Sequence, residues 1–137
     1  SKVMYFNTFA SAPVASAVGQ AVLDVMETDD LIRHAGRMGH YMKAGFERLA
    51  ESHEIIGDIR GHGLWVGVEL VSDREEKTPA TEATKVVVNK MKSRGILMNR
   101  IGEFDNVLKM RPPLPFADAE ADYLLHEIDQ VFGEIVT

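Results

Sequence analysis

Ile55-Ile56-Gly57-Asp58-Ile59-Arg60-Gly61-His62-Gly63-Leu64-Trp65-Val66-Gly67-Val68-Glu69-Leu70-Val71 is the stretch on which the reading of this chain turns. Two β-rich runs, Ile55 to Arg60 and Leu64 to Val71, lie on either side of Gly61-His62-Gly63, the pattern of adjacent strands joined by a glycine turn. Upstream, Val14, Ala17, Val18, Ala21, Val22, Val25 and Met26 recur at helical spacing between Pro13 and Thr28. Pro13 suits the first turn of that helix, and its stripe is expected to bury against the second and last helices. The second helix follows Asp29-Asp30, with Leu31, Ala35, Met38, Met42, Phe46 and Leu49 on one side and most of its charges off that side. Downstream, the polar stretch Val71 to Pro79 reads as a surface loop and Thr81 to Ser93 as a helix, its length outweighing three valines, with Gly95 as the C-cap. Ile96 to Met98 and Val107 to Met110 read as short strands about a loop containing Gly102, and Asp118 opens a last helix with a stripe from Ala121 to Ile135. The order is ααββαββα. It predicts an α+β fold, a small, mostly antiparallel sheet of about four strands covered by helices.

Composition narrows the classes of function. The 137 residues are 45% hydrophobic and 26% charged, in the range of one compact domain with a real core, without repeats or low-complexity segments. A net charge of -6, with its cations scattered, argues against a nucleic-acid surface. No apolar run approaches the ~20 residues that span a bilayer, and no targeting segment opens the chain, so a membrane partner is not expected and a cytoplasmic location is. The absence of cysteine removes disulfides, thiolate metal sites and thiol catalysis. Histidines 34, 40, 53, 62 and 126 lack the i, i+4 spacing of a helical metal site and read as helix-surface or loop residues, so no metal is expected.

The residues with chemical interest lie near the strand ends. Arg111 closes the run Val107-Leu108-Lys109-Met110 and is followed by Pro112-Pro113, which cannot donate to a sheet ladder and so stop the strand. A planar, permanently charged guanidinium fixed there suits a carboxylate or phosphate, although the plainer reading of such an arginine is a surface ion pair. Gly61 and Gly63 read as turn formers rather than a phosphate cradle, since no G-x-G-x-x-G precedes a helix. Glu69 reads as a strand-surface or ion-pair residue, Trp65 as core or interdomain packing rather than a ring stacked on a cofactor, and the methionines as core.

Four segments, in order, resemble the C-terminal part of the class III, pyridoxal-phosphate-dependent aminotransferases of fold type I. Asn7-Thr8-Phe9-Ala10-Ser11-Ala12-Pro13-Val14-Ala15 is similar to the family's T-F-G-G-N-P-[LV]-A, and Asp58 to Leu70 to its V-R-G-x-G-L-x-x-G-x-E-L. Arg94-Gly95-Ile96-Leu97 and Arg111-Pro112-Pro113-Leu114 follow in the family's order and spacing. The resemblance implies that Thr8 is a cofactor-binding residue, its hydroxyl reaching the phosphate of pyridoxal 5'-phosphate in a neighbouring subunit. It implies that Arg111 is a substrate-binding residue that holds the substrate carboxylate. Residues 13–137 would then be the small C-terminal domain, and 1–12 a segment between domains, mobile when the chain is alone. Ala10-Ser11-Ala12 departs from Gly-Gly-Asn, removing a good N-cap at a cost of ~1 kcal/mol unless Ser11 caps instead.

The resemblance also implies an absence. Transamination needs a Schiff-base lysine and an acidic partner for the pyridinium, and in this family both lie upstream of the first motif. Lys2 lacks the family context, and Lys109, placed by alternation on the face of Arg111, has no motif to support that role. No catalytic residue is therefore assigned in this chain, which is expected to be inactive and monomeric alone and to need a large cofactor-binding domain, as a homodimer, when intact. The implied reaction moves an amino group from an amine or ω-amino acid to a 2-oxo acid. Two other readings stand beside it: a freestanding module that binds a small carboxylate, and the same fold with lyase, racemase or decarboxylase chemistry.

Overall fold

The structure, a computed structural model, describes residues 6–8 and 12–135. Lys2, Ser11 and most of the segment expected to be mobile lie outside the described residues. The chain divides into two compact units, Ser1–Arg33 and His34–Thr137.

In the first unit, α1 spans Pro13–Thr28. Pro13 occupies the start of the helix, where its missing N–H costs nothing, and Ala12 at the N-cap offers no side-chain acceptor. The helix forms as its period predicts, but the expected burial of its stripe is not seen. None of its residues is buried, and Val14, Val18, Val22, Leu23 and Val25 are each more than half exposed.

The second unit holds most of α2 (Leu31–Ser52), then β1 (Ile56–His62), β2 (Trp65–Asp73), β3 (Thr78–Pro79), α3 (Thr81–Ser93), β4 (Asn99–Ile101), β5 (Val107–Met110) and α4 (Asp118–Ile135). The strands form an open antiparallel sheet in the order β1-β2-β5-β4, with β3 paired to the far end of β2. The fold is α+β, as expected. Val66, Val68 and Leu70 of β2 and Leu108 and Met110 of β5 join Met38, Met42 and Phe46 of α2, Val87 and Met91 of α3, and Leu124, Ile128 and Phe132 of α4 in one core. The opposite face of β2, with Trp65, Gly67 and Glu69, is not part of that core.

Two expectations about strands need correction. Ile96–Met98 is not a strand; β4 begins at Asn99, and Leu97 is 84% exposed. The pairs Ile101↔Val107 and Asn99↔Lys109 set the register, and continuing it would bring Ile96 opposite Pro112, which has no N–H to give. The loop Val71–Pro79 is also more ordered than its charge suggested. There β2 runs on to Asp73 and turns back into β3 through Lys77 at φ 54°, a two-residue strand too short to carry a period.

Close approach explains the glycines that matter. His62 pairs with Trp65, so the hairpin loop is Gly63-Leu64, with Gly63 at φ 51°. A Cβ on Gly39 of α2 would stand 2.1 Å from the Gly63 carbonyl oxygen, so the helix can lie against the turn only because residue 39 lacks a side chain. At the end of α2, Arg74 donates from Nη2 to the carbonyls of Ala50 and His53, at 2.6 and 2.9 Å, and from Nε to that of Ile56, at 3.0 Å. One guanidinium thus ties the helix terminus to β1 and satisfies carbonyls that a helix end leaves without partners. The buried Asn106 donates to the Leu70 carbonyl at 2.9 Å and locks β2 to the residue preceding β5.

Candidate functional site

Arg111 follows β5 directly, exposed, where Pro112 and Pro113 end the ladder. Its placement follows from the pairing of β5 with β2. Val66 lies opposite Met110 and both are buried, at 0% and 5% exposure, so one more step along the register sets Trp65 opposite Arg111 on the other face. There the guanidinium carbon stands 5.8 Å from the centre of the indole ring, within cation–π range. Trp65 is 59% exposed and is not a core residue, which corrects that part of its sequence reading. Parity alone carried the signal, because Val66, Val68 and Leu70 point inward and Trp65, one step out of phase, cannot.

The polar groups around this edge differ in how they are engaged. Arg60 on β1 is held between Asp58, at 2.6 Å, and Glu69, at 2.7 Å. The hydrogen bond to Glu69, then that to Asp58, raises the Arg60 pKa above its ordinary value, so this cluster is closed on itself. It also bears out the ion-pair reading of Glu69. By contrast, among the described residues neither the Arg111 guanidinium nor the Lys109 ammonium makes a hydrogen bond or an ion pair. Lys109 sits on β5 between Gly67 and Asn99, on the same face as Arg111. Two cations without acidic partners on one face of one strand favour an anion.

Beside Arg111 opens a cavity of about 380 Å³ between Gly95–Met98, Met110–Pro113 and the first turns of α4. Its wall is mostly apolar, with Met42, Phe116 and Leu124 among its lining, and Arg111, Glu120 and Tyr123 supply the polar groups. Glu120 accepts from the Ala117 N–H at 3.1 Å, and the Tyr123 hydroxyl donates to the Arg94 carbonyl at 3.0 Å. Both therefore serve α4 and its neighbour and leave the Arg111 fork free. Thr8 lies in the first unit, exposed in a turn, whereas Arg111 lies in the second. No group of three acidic or histidine side chains among the described residues is arranged to hold a metal, and no helix among them is long and apolar enough to cross a membrane.

The chain matches known proteins over nearly its whole length. The family profile described as aminotransferase class-III matches residues 4–132. The Arabidopsis thaliana protein named alanine–glyoxylate aminotransferase 2 homolog 2, mitochondrial, is 47% identical over 125 residues, which are 91% of this chain and 26% of that protein. Among solved structures, a phospholyase from Arthrobacter in complex with phosphoethanolamine superposes with a TM-score of 0.87 at 40% identity, over 96% of this chain and 31% of that one. An amine transaminase from an uncultivated Pseudomonas species, in its PLP-bound form, gives a TM-score of 0.83 at 28% identity, over 96% and 30% of the two chains. This chain thus spans about a quarter of the length of the curated relative it matches.

Proposed function

This chain belongs to the class III aminotransferase family, and on that premise we propose that it is the substrate-gripping portion of a pyridoxal-phosphate-dependent transaminase. The observation that carries the reading is Arg111: a guanidinium fixed at a strand end, beside a cavity, with no acid bound to it among the described residues. Such a fork grips a carboxylate through two parallel hydrogen bonds and orients the carbon that bears the amino or oxo group. The apolar wall beside it accommodates a chain of methylenes and sheds water from the contact. Lys109 adds positive charge on the same face and draws acidic substrates in.

Of the residues described here, one fits part of the cofactor: the exposed Thr8 offers a hydroxyl suited to a phosphate oxygen. When bound, pyridoxal phosphate supplies the electron sink for the carbon that gains or loses the amino group. In this reading Thr8 serves the cofactor of a second subunit, and the lysine that carries the cofactor belongs to a large domain of the same protein.

A specific likeness favours a second reading. The Arthrobacter phospholyase, at 40% identity, holds phosphoethanolamine, and a guanidinium fork receives a phosphate as readily as a carboxylate. The two readings share an acidic substrate group and differ in the bond that breaks. The intact protein, assayed with an ω-amino acid plus pyruvate and separately with phosphoethanolamine, separates them: transfer of the amino group supports transaminase chemistry, and release of inorganic phosphate supports the lyase. Arg111→Ala should lower kcat/KM for the acidic substrate by about ten- to a hundredfold, the value of a charge-assisted contact, and leave a simple amine nearly unchanged. Equal losses for both would mean that Arg111 serves the fold.

A further inference from the structure

We infer that Trp65 is a positioning residue for Arg111 and thereby sets the preference of the site for acidic substrates, an inference that rests on Arg111 as the acid-binding group. Three features of the hairpin make Trp65 suited to that role. The register sets it opposite Arg111 on the face away from the core, because its neighbours Val66 and Met110 are buried. Its backbone packs closely on the facing strand: a Cβ on Gly61, at φ 156°, would meet the Trp65 carbonyl oxygen at 2.1 Å. The ring itself is 59% exposed, so its face is available to a group outside the core.

What it touches is the guanidinium, at 5.8 Å from ring centre to the central carbon. The choice of an aromatic holder has a chemical consequence. Arg60, one strand away from Trp65 on β1, donates from Nη1 to both Asp58 and Glu69, and those carboxylates offset its charge and compete with an incoming acid. An indole face attracts the cation through its quadrupole and offers no carboxylate to compete for the fork. Arg111 is therefore restrained while its donors stay available, which reduces the ordering a substrate must impose when it binds. An acid at position 65 would restrain Arg111 equally well and abolish its use.

The test uses the intact holoenzyme with two donors, an ω-amino acid and the straight-chain amine of the same carbon count. Trp65→Leu should raise KM for the acid about two- to fivefold, as expected for loss of an exposed cation–π contact, with kcat and the amine nearly unchanged. Trp65→Phe should restore most of the acid preference, and Trp65→Leu added to Arg111→Ala should cause no further loss. Loss of acid and amine activity in equal measure in Trp65→Leu, or a full additional loss in the Arg111→Ala background, would overturn the inference. If Trp65→Phe folds and keeps kcat yet loses preference as fully as Trp65→Leu, it is overturned as well. Should Arg111→Ala itself leave the acid preference intact, the acid-binding reading of Arg111 fails and this inference with it; a preference lost in Arg111→Ala and kept in Trp65→Leu defeats the inference alone.

Discussion

Helices α1 and α4 carry apolar stripes of similar regularity, yet they end in opposite conditions. α4 buries Ala121, Leu124, Leu125, Ile128, Val131 and Phe132, whereas α1 buries none of its residues. A parallel contrast separates single glycines of α1 and α2: Gly19 of α1 has nothing within 4 Å of where a Cβ would stand, and Gly39 of α2 would meet backbone at 2.1 Å. Period tells which residues share a face; it does not tell whether anything covers that face. Buried contacts support the helicity of α4, whereas α1 forms with none of its own residues buried.

The contrast predicts a graded set of stability changes in denaturant titrations of this chain. Phe132→Ala should cost about 3–5 kcal/mol, because it opens a cavity in a fully buried site. Val18→Ala, on the exposed stripe of α1, should stay within about 0.5 kcal/mol. A loss above 1 kcal/mol at Val18, on the order of a core truncation, would mean that α1 is covered after all and that the comparison fails.

The glycines should differ in sign. Gly39→Ala should destabilise by roughly 1–3 kcal/mol as α2 is forced off the Gly63 turn, while Gly19→Ala should stabilise by about 0.5–1 kcal/mol through helix propensity alone. Thermal melts of the two variants, shifted in opposite directions, would sharpen the contrast; shifts of one sign would break it.

The smallest effect lies on the polar edge of α4. Glu134 accepts from Lys90 at 2.7 Å and from Arg94, linking α4 to α3, and the bond to Lys90 leads in holding its carboxyl below the ordinary carboxylate range. With the folded pKa depressed, its contribution is complete above the unfolded value and disappears as pH falls through the folded one. Stability measured from neutral pH into the acid range should therefore fall slightly less steeply in Glu134→Gln than in the parent. Identical slopes would leave the bridge without thermodynamic weight, as is common for exposed pairs.

Much of this was legible in the residues. Helical spacing identified α1, α2, α3 and α4, and the glycine-punctuated hairpin identified β1 and β2, because these patterns are local consequences of backbone geometry. The start of β4 was not legible, since it depends on which residues of β5 lie opposite and on Pro112 ending their ladder. Nor was β3, whose two residues are defined wholly by pairing with β2. For the candidate site, Arg111 stood out by type and position, and the strand parity that exposes Trp65 was present but was outweighed by the expectation that a large aromatic in an apolar run belongs to the core.

By itself, then, the sequence determined the kinds of elements, their order, the inward faces of the strands and the arginine that ends β5, all properties that one segment settles without reference to another. Only the tertiary structure decided that Trp65 lies against Arg111, that Arg60 is closed by acids while Arg111 is open, and that the α1 stripe stays uncovered. Each of these depends on the register between strands distant in sequence or on what packs over a face. Contacts of that kind belong to pairs of segments, and no periodicity within one segment encodes them.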